Sequence, residues 1–262
     1  MNKQKKMKKK VKQSFDLGSV TYDKFSEVQK QVGQYLLDFF LKSFPKKKNY
    51  EFFKSPIRVL DLGCGTGEFS RKIMSKFLID RIRLIDISSE MIKYSKIKIK
   101  EKNGEFLVCD FDKYFEFKKF NMIVSNMALH WSSDINKLLK KIILNMSKES
   151  FFLFSVPNNK SFSNFKKLLP INIKNKIFNN FPEDDKIFGL RKNKNISINI
   201  KKMKILRKYL HPLHFLKEMR KLGVTVKINN EQQNLFFLKK IDNKEFFLDY
   251  NISLYLVKKN EP

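Results

Sequence analysis

The sequence predicts an α/β fold: a doubly wound, mostly parallel seven-stranded sheet with an N-terminal helical lid and an inserted helical cap. Three observations carry that prediction. Between Ile57 and Val156, short apolar runs of strand character alternate with stretches of helical periodicity, and such alternation builds a parallel sheet covered on both faces. The first run leads into VLDLGCGTGEF, Val59 to Phe69, which holds three of the eight glycines in the chain. A glycine cluster of this kind marks a sharp turn that a ligand approaches closely. Finally, Asp86 and Asp110 close the next two strands, at the sheet edge where open parallel sheets bind ligands.

The elements follow in order. From Phe15 to Leu41 apolar residues recur at helical spacing, as in Val28, Val32, Tyr35, Leu36 and Phe39, which predicts one or two helices before the first strand. Strands are expected at Ile57–Leu62, Arg81–Ile87, Glu105–Cys109, Phe120–Ser125 and Phe151–Val156. Between them, helices are expected from Glu68 to about Phe77, from Ser89 to about Ile99 with Ser88 or Ser89 as cap, and over Ile135–Asn145. After Pro157 the pattern turns irregular, and 157–200 reads as short helices over one end of the sheet. Strand character returns at Lys202–Tyr209, a helix at Pro212–Leu222 and a last strand at Phe246–Lys258. No internal repeat is visible. The chain therefore reads as one domain over 14–262, with 14–45 as lid, 157–200 as cap and 1–13 as a basic tail that frays in solvent.

Composition bounds the partners. A formal charge of +29 exceeds what solubility needs and points to an acidic partner, whether nucleic acid, anionic membrane or acidic protein. A genome biased to A and T supplies the same lysines without selection for binding, because Asn, Ile and Phe are abundant too. The segments FPKKKNYEFF and NLFFLKK interleave rings with lysines as single-strand binders do, but core packing with lysine bias explains them with fewer assumptions, so nucleic acid is disfavoured. Cys64 and Cys109 form no C-x-x-C pair, so neither a disulfide framework nor a zinc site is indicated. His211 and His214 have H-x-x-H spacing without an evident third ligand. No apolar run reaches the roughly 18–20 residues of a membrane span, and a cytoplasmic location with no membrane association is expected.

What the glycine turn holds can be read from its neighbours. A dinucleotide site shows G-x-G-x-x-G, whereas here the spacing is D-x-G-x-G-x-G over Asp61, Gly63, Gly65 and Gly67, with an acid leading and no basic residue inside. That suits a ligand without phosphates. About 20 residues on, Asp86 stands where an acid accepts the hydroxyls of a ribose. Asp110 beside Phe111 pairs a carboxylate, an acceptor for an exocyclic amine, with a ring that packs on a base. Three carboxylates at three successive strand ends make a pocket for a nucleoside bearing a cation.

These residues also carry a resemblance. VLDLGCGTG, LIDISSEM, CDFD and FNMIVSNMALHW, in that order, are similar to the successive motifs of class I S-adenosylmethionine-dependent methyltransferases, whose Rossmann-like fold the resemblance implies. SFDLGSVTYDKFSEVQK, SNMALHW, LHFLKEMRKLGVT and LDYNISLYLVKK narrow it, since together they resemble the malonyl-acyl-carrier-protein O-methyltransferases of biotin synthesis over most of 14–258, least so over 158–200. The resemblance implies S-adenosyl-L-methionine as cofactor, with Asp61, Gly63, Gly65 and Gly67 along its methionine part, Asp86 on the ribose and Ile87 against the adenine. It further implies Asp110 and Phe111 at the adenine edge and face, and Asn126 and Met127 beneath the sulfonium. Tyr22 in the lid would help close the site, and His130 and Trp131 are substrate-side candidates that equally suit plain packing at the rim.

The implied reaction is methylation of the free carboxylate of malonyl held on an acidic acyl carrier protein, which disguises it as a primer for pimeloyl synthesis. A carboxylate with a reference pKa near 4 is ionised at pH 7 and needs no general base, in keeping with a sequence that shows no Ser/His/Asp or Cys/His constellation. Basic residues of the lid and cap would then steer the carrier. Three other readings compete: a methyltransferase acting on RNA or a small carboxylic acid, a protein arginine hydroxylase of complex I assembly, which shares the SN…LHW pattern, and a non-catalytic nucleoside-binding protein that docks nucleic acid.

Overall fold

The central strand sequences IRVLDL and FFLFSVP are apolar almost throughout, as strands buried on both faces must be, with a single exposed residue, Arg58, between them. The computed structural model describes residues 3–43, 54–100, 104–169, 181–184, 187, 195–224, 238 and 245–260. Within these, two helices, α1 (Lys3–Phe25) and α2 (Glu27–Lys42), precede an alternating series. That series runs β1 (Ile57–Leu62), α3 (Glu68–Met74), β2 (Ile79–Asp86), α4 (Ser89–Lys98), β3 (Gly104–Val108), β4 (Met122–Asn126), α5 (Ile135–Asn145) and β5 (Phe151–Pro157). The short α6 (Ser163–Lys167), the long β6 (Ile196–Tyr209), α7 (Pro212–Lys221) and β7 (Phe246–Lys259) follow.

The seven strands form one sheet in the order β3-β2-β1-β4-β5-β7-β6. The first five are mutually parallel, while β7 runs antiparallel to both β5 and β6. Strand order reverses between β1 and β4, so the crevice outside their carboxyl ends is where a ligand is expected. Alternate strand residues feed two cores. Val59, Leu84, Val124 and Leu153 join α2, α3 and α7 on one face. Leu60, Ile85, Ile123 and Phe152 pack with Leu138, Leu139 and Ile142 of α5 on the other.

Two expectations are corrected. Of the basic stretch 1–13, the described residues 3–13 do not fray as a tail: α1 runs through the 13/14 boundary without a break. Lysine is a good helix former, and Val11 is buried while Lys8 is drawn onto acids of the sheet edge. Strand β6 begins at Ile196 rather than Lys202, because the register with β7 continues that far, Ile196 lying opposite Lys259. Residues 170–180, 185–186 and 188–194 of the expected 157–200 cap, and the segments FPKKKNYEFF and NLFFLKK apart from Leu238, lie outside the described residues.

Candidate functional site

The turn after β1 is shaped by its glycines. Gly63, Gly65 and Gly67 all have left-handed φ, of +73°, +54° and +82°. At Gly63 the conformation is enforced by crowding as well, since a Cβ there would lie 2.5 Å from that of Ala128. Gly65 sits under Tyr22, whose ring would be 3.8 Å from an added Cβ. Gly67 lies apart: it starts α3 and faces Ser95 of α4 and the capping residue Ile99 that follows it, where its lack of a side chain allows close helix packing, and it is not among the residues lining the two cavities.

Around this turn lie two cavities with a common wall of Tyr22, Gly63, Gly65 and Asn126. The smaller lobe reaches Asp61, Cys64 and Thr66 together with Gln29 and Lys30 of α2. The larger is lined by Asp86, Ile87, Asp110, Phe111, Met127 and Trp131, and by Lys8, Val11 and Phe15 of α1. The fold thus brings Tyr22, Asp61, Gly63, Gly65, Asp86, Ile87, Asp110, Phe111, Asn126, Met127 and Trp131 around one crevice. His130 is not among its walls. It packs edge-on against Phe181 and tilted against Trp131, and burial holds its imidazole down to about 3, so it is neutral and a poor base.

Each carboxylate is held differently. Asp61 is 1% exposed and accepts a 2.6 Å hydrogen bond from Ser70 Oγ. Burial, opposed by that hydroxyl and reinforced by Asp86, pushes its carboxyl up to about 7. Asp86 accepts from the amides of Gly65 and Ser88, each at 2.9 Å, which ties the end of β2 to the glycine turn; burial raises it to about 6 against those two bonds. Asp110 lies two residues past the end of β3, where it caps a single 3₁₀ turn over Phe111–Lys113. Tyr22 stays protonated, its hydroxyl raised by burial and by Asp86, and is therefore a donor.

Beneath the crevice Asn126 is fixed from both ends, donating from Nδ2 to the carbonyl of Gln29 (2.8 Å) and accepting at Oδ1 from Ser155 (2.8 Å). Met127 follows in the left-handed region, φ +54°, a strained conformation for a side chain of its size and one that concentrates at functional sites. Gln29 lines the smaller lobe, and among the described residues its amide oxygen is buried without a partner. An acceptor in that state calls for a donor, and an ammonium group fits it. In the other lobe, the apolar walls Ile87, Met91 and Phe111 beside Asp86 and Asp110 suit a nucleoside. The donor set therefore fits the expected cofactor at both ends.

The α1 wall extends upstream of the expected lid, to Lys8 and Val11; of this wall Tyr22 alone is among the expected site residues. Lys8 bonds Asp110 at 2.9 Å and Asp112 at 2.8 Å. Asp16 accepts from Ser88 Oγ at 2.6 Å, Asp23 from Thr66 Oγ1 at 2.6 Å and from Lys98 at 2.7 Å, and Gly18 crosses Gly223 too closely for a Cβ on either. A signal was present in the sequence: Lys8, Val11, Phe15 and Tyr22 are spaced by three, four and seven, which continues one helical face upstream of Phe15. His211 is the N-cap of α7, its Nδ1 accepting from the amide of Leu213 at 3.1 Å. Among the described residues no group of three His, Cys, Asp or Glu could hold a metal, and no helix is long and apolar enough to cross a membrane.

Known proteins resemble the chain in sequence over part of its length and in fold over nearly all of it. A malonyl-[acyl-carrier protein] O-methyltransferase 1 of Ilyobacter polytropus is 32% identical over 163 residues, 62% of this chain and 57% of that protein. One of Bacillus cytotoxicus is 26% identical over 82% of this chain and 75% of its own length. The chain spans little more than half the length of most curated relatives it matches, 54% and 52% in two further cases. Among solved structures, the plantazolicin methyltransferase BpumL, in complex with SAH and a triazolic desmethylPZN analog, superposes with a TM-score of 0.57 over 99% of both chains at 17% identity; at that identity the likeness is one of fold. The sequence profile of a family described as a methyltransferase domain matches residues 53–211. With well over half of its length inside that profile, the chain belongs to the methyltransferase-domain family.

Proposed function

We propose that the protein transfers a methyl group from S-adenosylmethionine to the free carboxylate of a malonyl group borne by an acidic acyl carrier protein. The observation that carries the cofactor half is the pair of lobes meeting at Tyr22, Gly63, Gly65 and Asn126. One lobe offers Asp61 and the unpartnered Gln29 oxygen for an ammonium; the other offers Asp86 and Asp110 between apolar walls for an adenosine. The names of the curated relatives support the acceptor half. Chemistry at the junction is compatible with that acceptor: among the described residues its common wall is Tyr22, Gly63, Gly65 and Asn126, of which only Tyr22 titrates, and it is protonated.

The bound cofactor supplies an electrophilic methyl on a sulfonium. Everything else is positioning. A malonyl carboxylate arrives ionised, so no proton moves and no residue has to accept one. In this reading Asn126, locked by Gln29 and Ser155, and Met127 form the floor under the reacting atoms. Tyr22 closes the roof and, with Trp131, keeps water out, and in-line alignment of this kind contributes roughly 7–11 kcal/mol. The basic surface steers the acidic carrier, an effect on encounter rate that high salt weakens.

The test offers methyl-labelled S-adenosylmethionine and the purified chain to malonyl-carrier protein, free malonate and total RNA in parallel. Label is expected on malonyl-carrier protein, with free malonate far behind. Label confined to RNA, or to free malonate, would transfer the assignment to another methyltransferase class.

A further inference from the structure

Lys8 is seven residues from the start of the chain, yet its side chain is only 15% exposed and its ammonium is fixed in three ways. It lies 2.9 Å from Asp110 Oδ1, 2.8 Å from Asp112 Oδ2 and 4.8 Å from the centre of the Phe111 ring. It also lines the larger lobe, facing the same space as Ile87, Met91 and Phe111. An ammonium has three donors, and the two carboxylates take two of them. The other protein donor on Asp110, the amide of Asp112 at 3.1 Å, also goes to Oδ1, and among the described residues none is directed at Oδ2. One ammonium donor of Lys8 and Oδ2 of Asp110 are thus left without a partner among the described residues, at a pair that lines both this lobe and an outer cavity with Asp112, beside a ring that a flat base can stack on.

We infer that Lys8 is a specificity-determining residue that reads the base together with Asp110, an inference resting on the adenosyl reading of this lobe. Adenine presents an exocyclic amine, a donor, next to an unprotonated ring nitrogen, an acceptor. Oδ2 of Asp110 takes the amine and Lys8 donates to the ring nitrogen. Hypoxanthine puts a carbonyl where the amine was and so sets an acceptor against a carboxylate. The pair therefore favours a 6-aminopurine. Lys8 acts here as part of α1, whose place over the lobe is set independently by the contacts of Asp16 with Ser88, Asp23 with Thr66 and Gly18 with Gly223, so the base is read only while the helix is seated.

Calorimetric titration of the full chain with S-adenosylhomocysteine and with S-inosylhomocysteine tests this, using Lys8→Met, Lys8→Arg and, as control on the same helix, Lys12→Met. Lys12 pairs with Asp16 and Ser89 instead of lining the lobe. Lys8→Met is expected to bind S-adenosylhomocysteine about tenfold more weakly, as loss of a charged hydrogen bond does, and to lose much of its preference over the inosyl analogue. Lys8→Arg should recover most of both, and Lys12→Met should stay within about twofold of the parent. Unchanged or tighter binding by Lys8→Met, or an equal loss in Lys12→Met, would overturn the assignment. Failure of the parent chain to bind S-adenosylhomocysteine at all would instead overturn the cofactor reading.

Discussion

The sheet side of the crevice and the α1 side are held by different forces. On the sheet side Asp61 and Asp86 are 1% and 8% exposed, and Asp86 and the glycine turn are locked together by backbone bonds and by left-handed φ values. On the α1 side the helix is drawn down by charged groups that still see solvent, from 15% exposure at Lys8 to 43% at Asp23. Buried, backbone-fixed groups respond to their own titration and hardly to salt, whereas half-exposed pairs weaken as ionic strength rises. The comparison suggests a rigid floor carrying the cofactor's chemistry and a detachable roof governing its access.

The largest effect should come from the floor. Gly63→Ala forces a Cβ to within 2.5 Å of Ala128 at a φ of +73°, with strain on the order of 1–3 kcal/mol. S-adenosylhomocysteine affinity should fall by about a hundredfold or more in calorimetry, with a lower melting temperature; near-normal affinity would mean that the turn is no ligand wall.

A middle-sized effect should come from titration of the same floor. Asp61 and Asp86, raised to about 7 and about 6 by burial, are largely protonated at pH 5 and ionised at pH 8. Donors on the ligand require the ionised forms. Affinity for S-adenosylhomocysteine should therefore rise on the order of tenfold from pH 5.5 to 8 and level off above, and a flat profile would show that neither carboxylate meets the ligand. The smallest effect belongs to the roof. Asp16→Asn weakens its link to Ser88 and the pair with Lys12, and affinity should change less than about threefold at low salt and not measurably at high salt. A large, salt-independent loss would erase the distinction between the two walls.

The floor was the legible part of the sequence. Strands such as Ile57–Leu62 announce themselves by unbroken apolar runs, and the glycine turn is marked by a composition the rest of the chain lacks. Asp61, Asp86 and Asp110 follow from strand ends because each is local to its own strand. The roof was legible only in part: Tyr22 and the spacing of Lys8, Val11, Phe15 and Tyr22 mark one helical face, but an ion pair between Lys8 and a residue 102 positions away does not show in local sequence. Gly67 shows the converse failure: its spacing groups it with Gly63 and Gly65, yet the first turn of α3 rotates it toward α4, a displacement that spacing alone does not encode. Strand β6, by contrast, is legible back to its start: Ile196, Ile198 and Ile200 alternate with Ser197, Asn199 and Lys201, the period-two pattern of a half-buried strand, so the expected start at Lys202 is too late.

The central claim is that this crevice places a methyl donor against a carboxylate that needs no base. Its most direct test is incubation with methyl-labelled S-adenosylmethionine and either malonyl- or acetyl-carrier protein, followed by mild alkali. The account predicts label on the malonyl form alone, released by alkali as methanol, because only malonyl offers a free carboxylate and only an ester is so labile. Alkali-stable label, or equal label on the acetyl form, would contradict it.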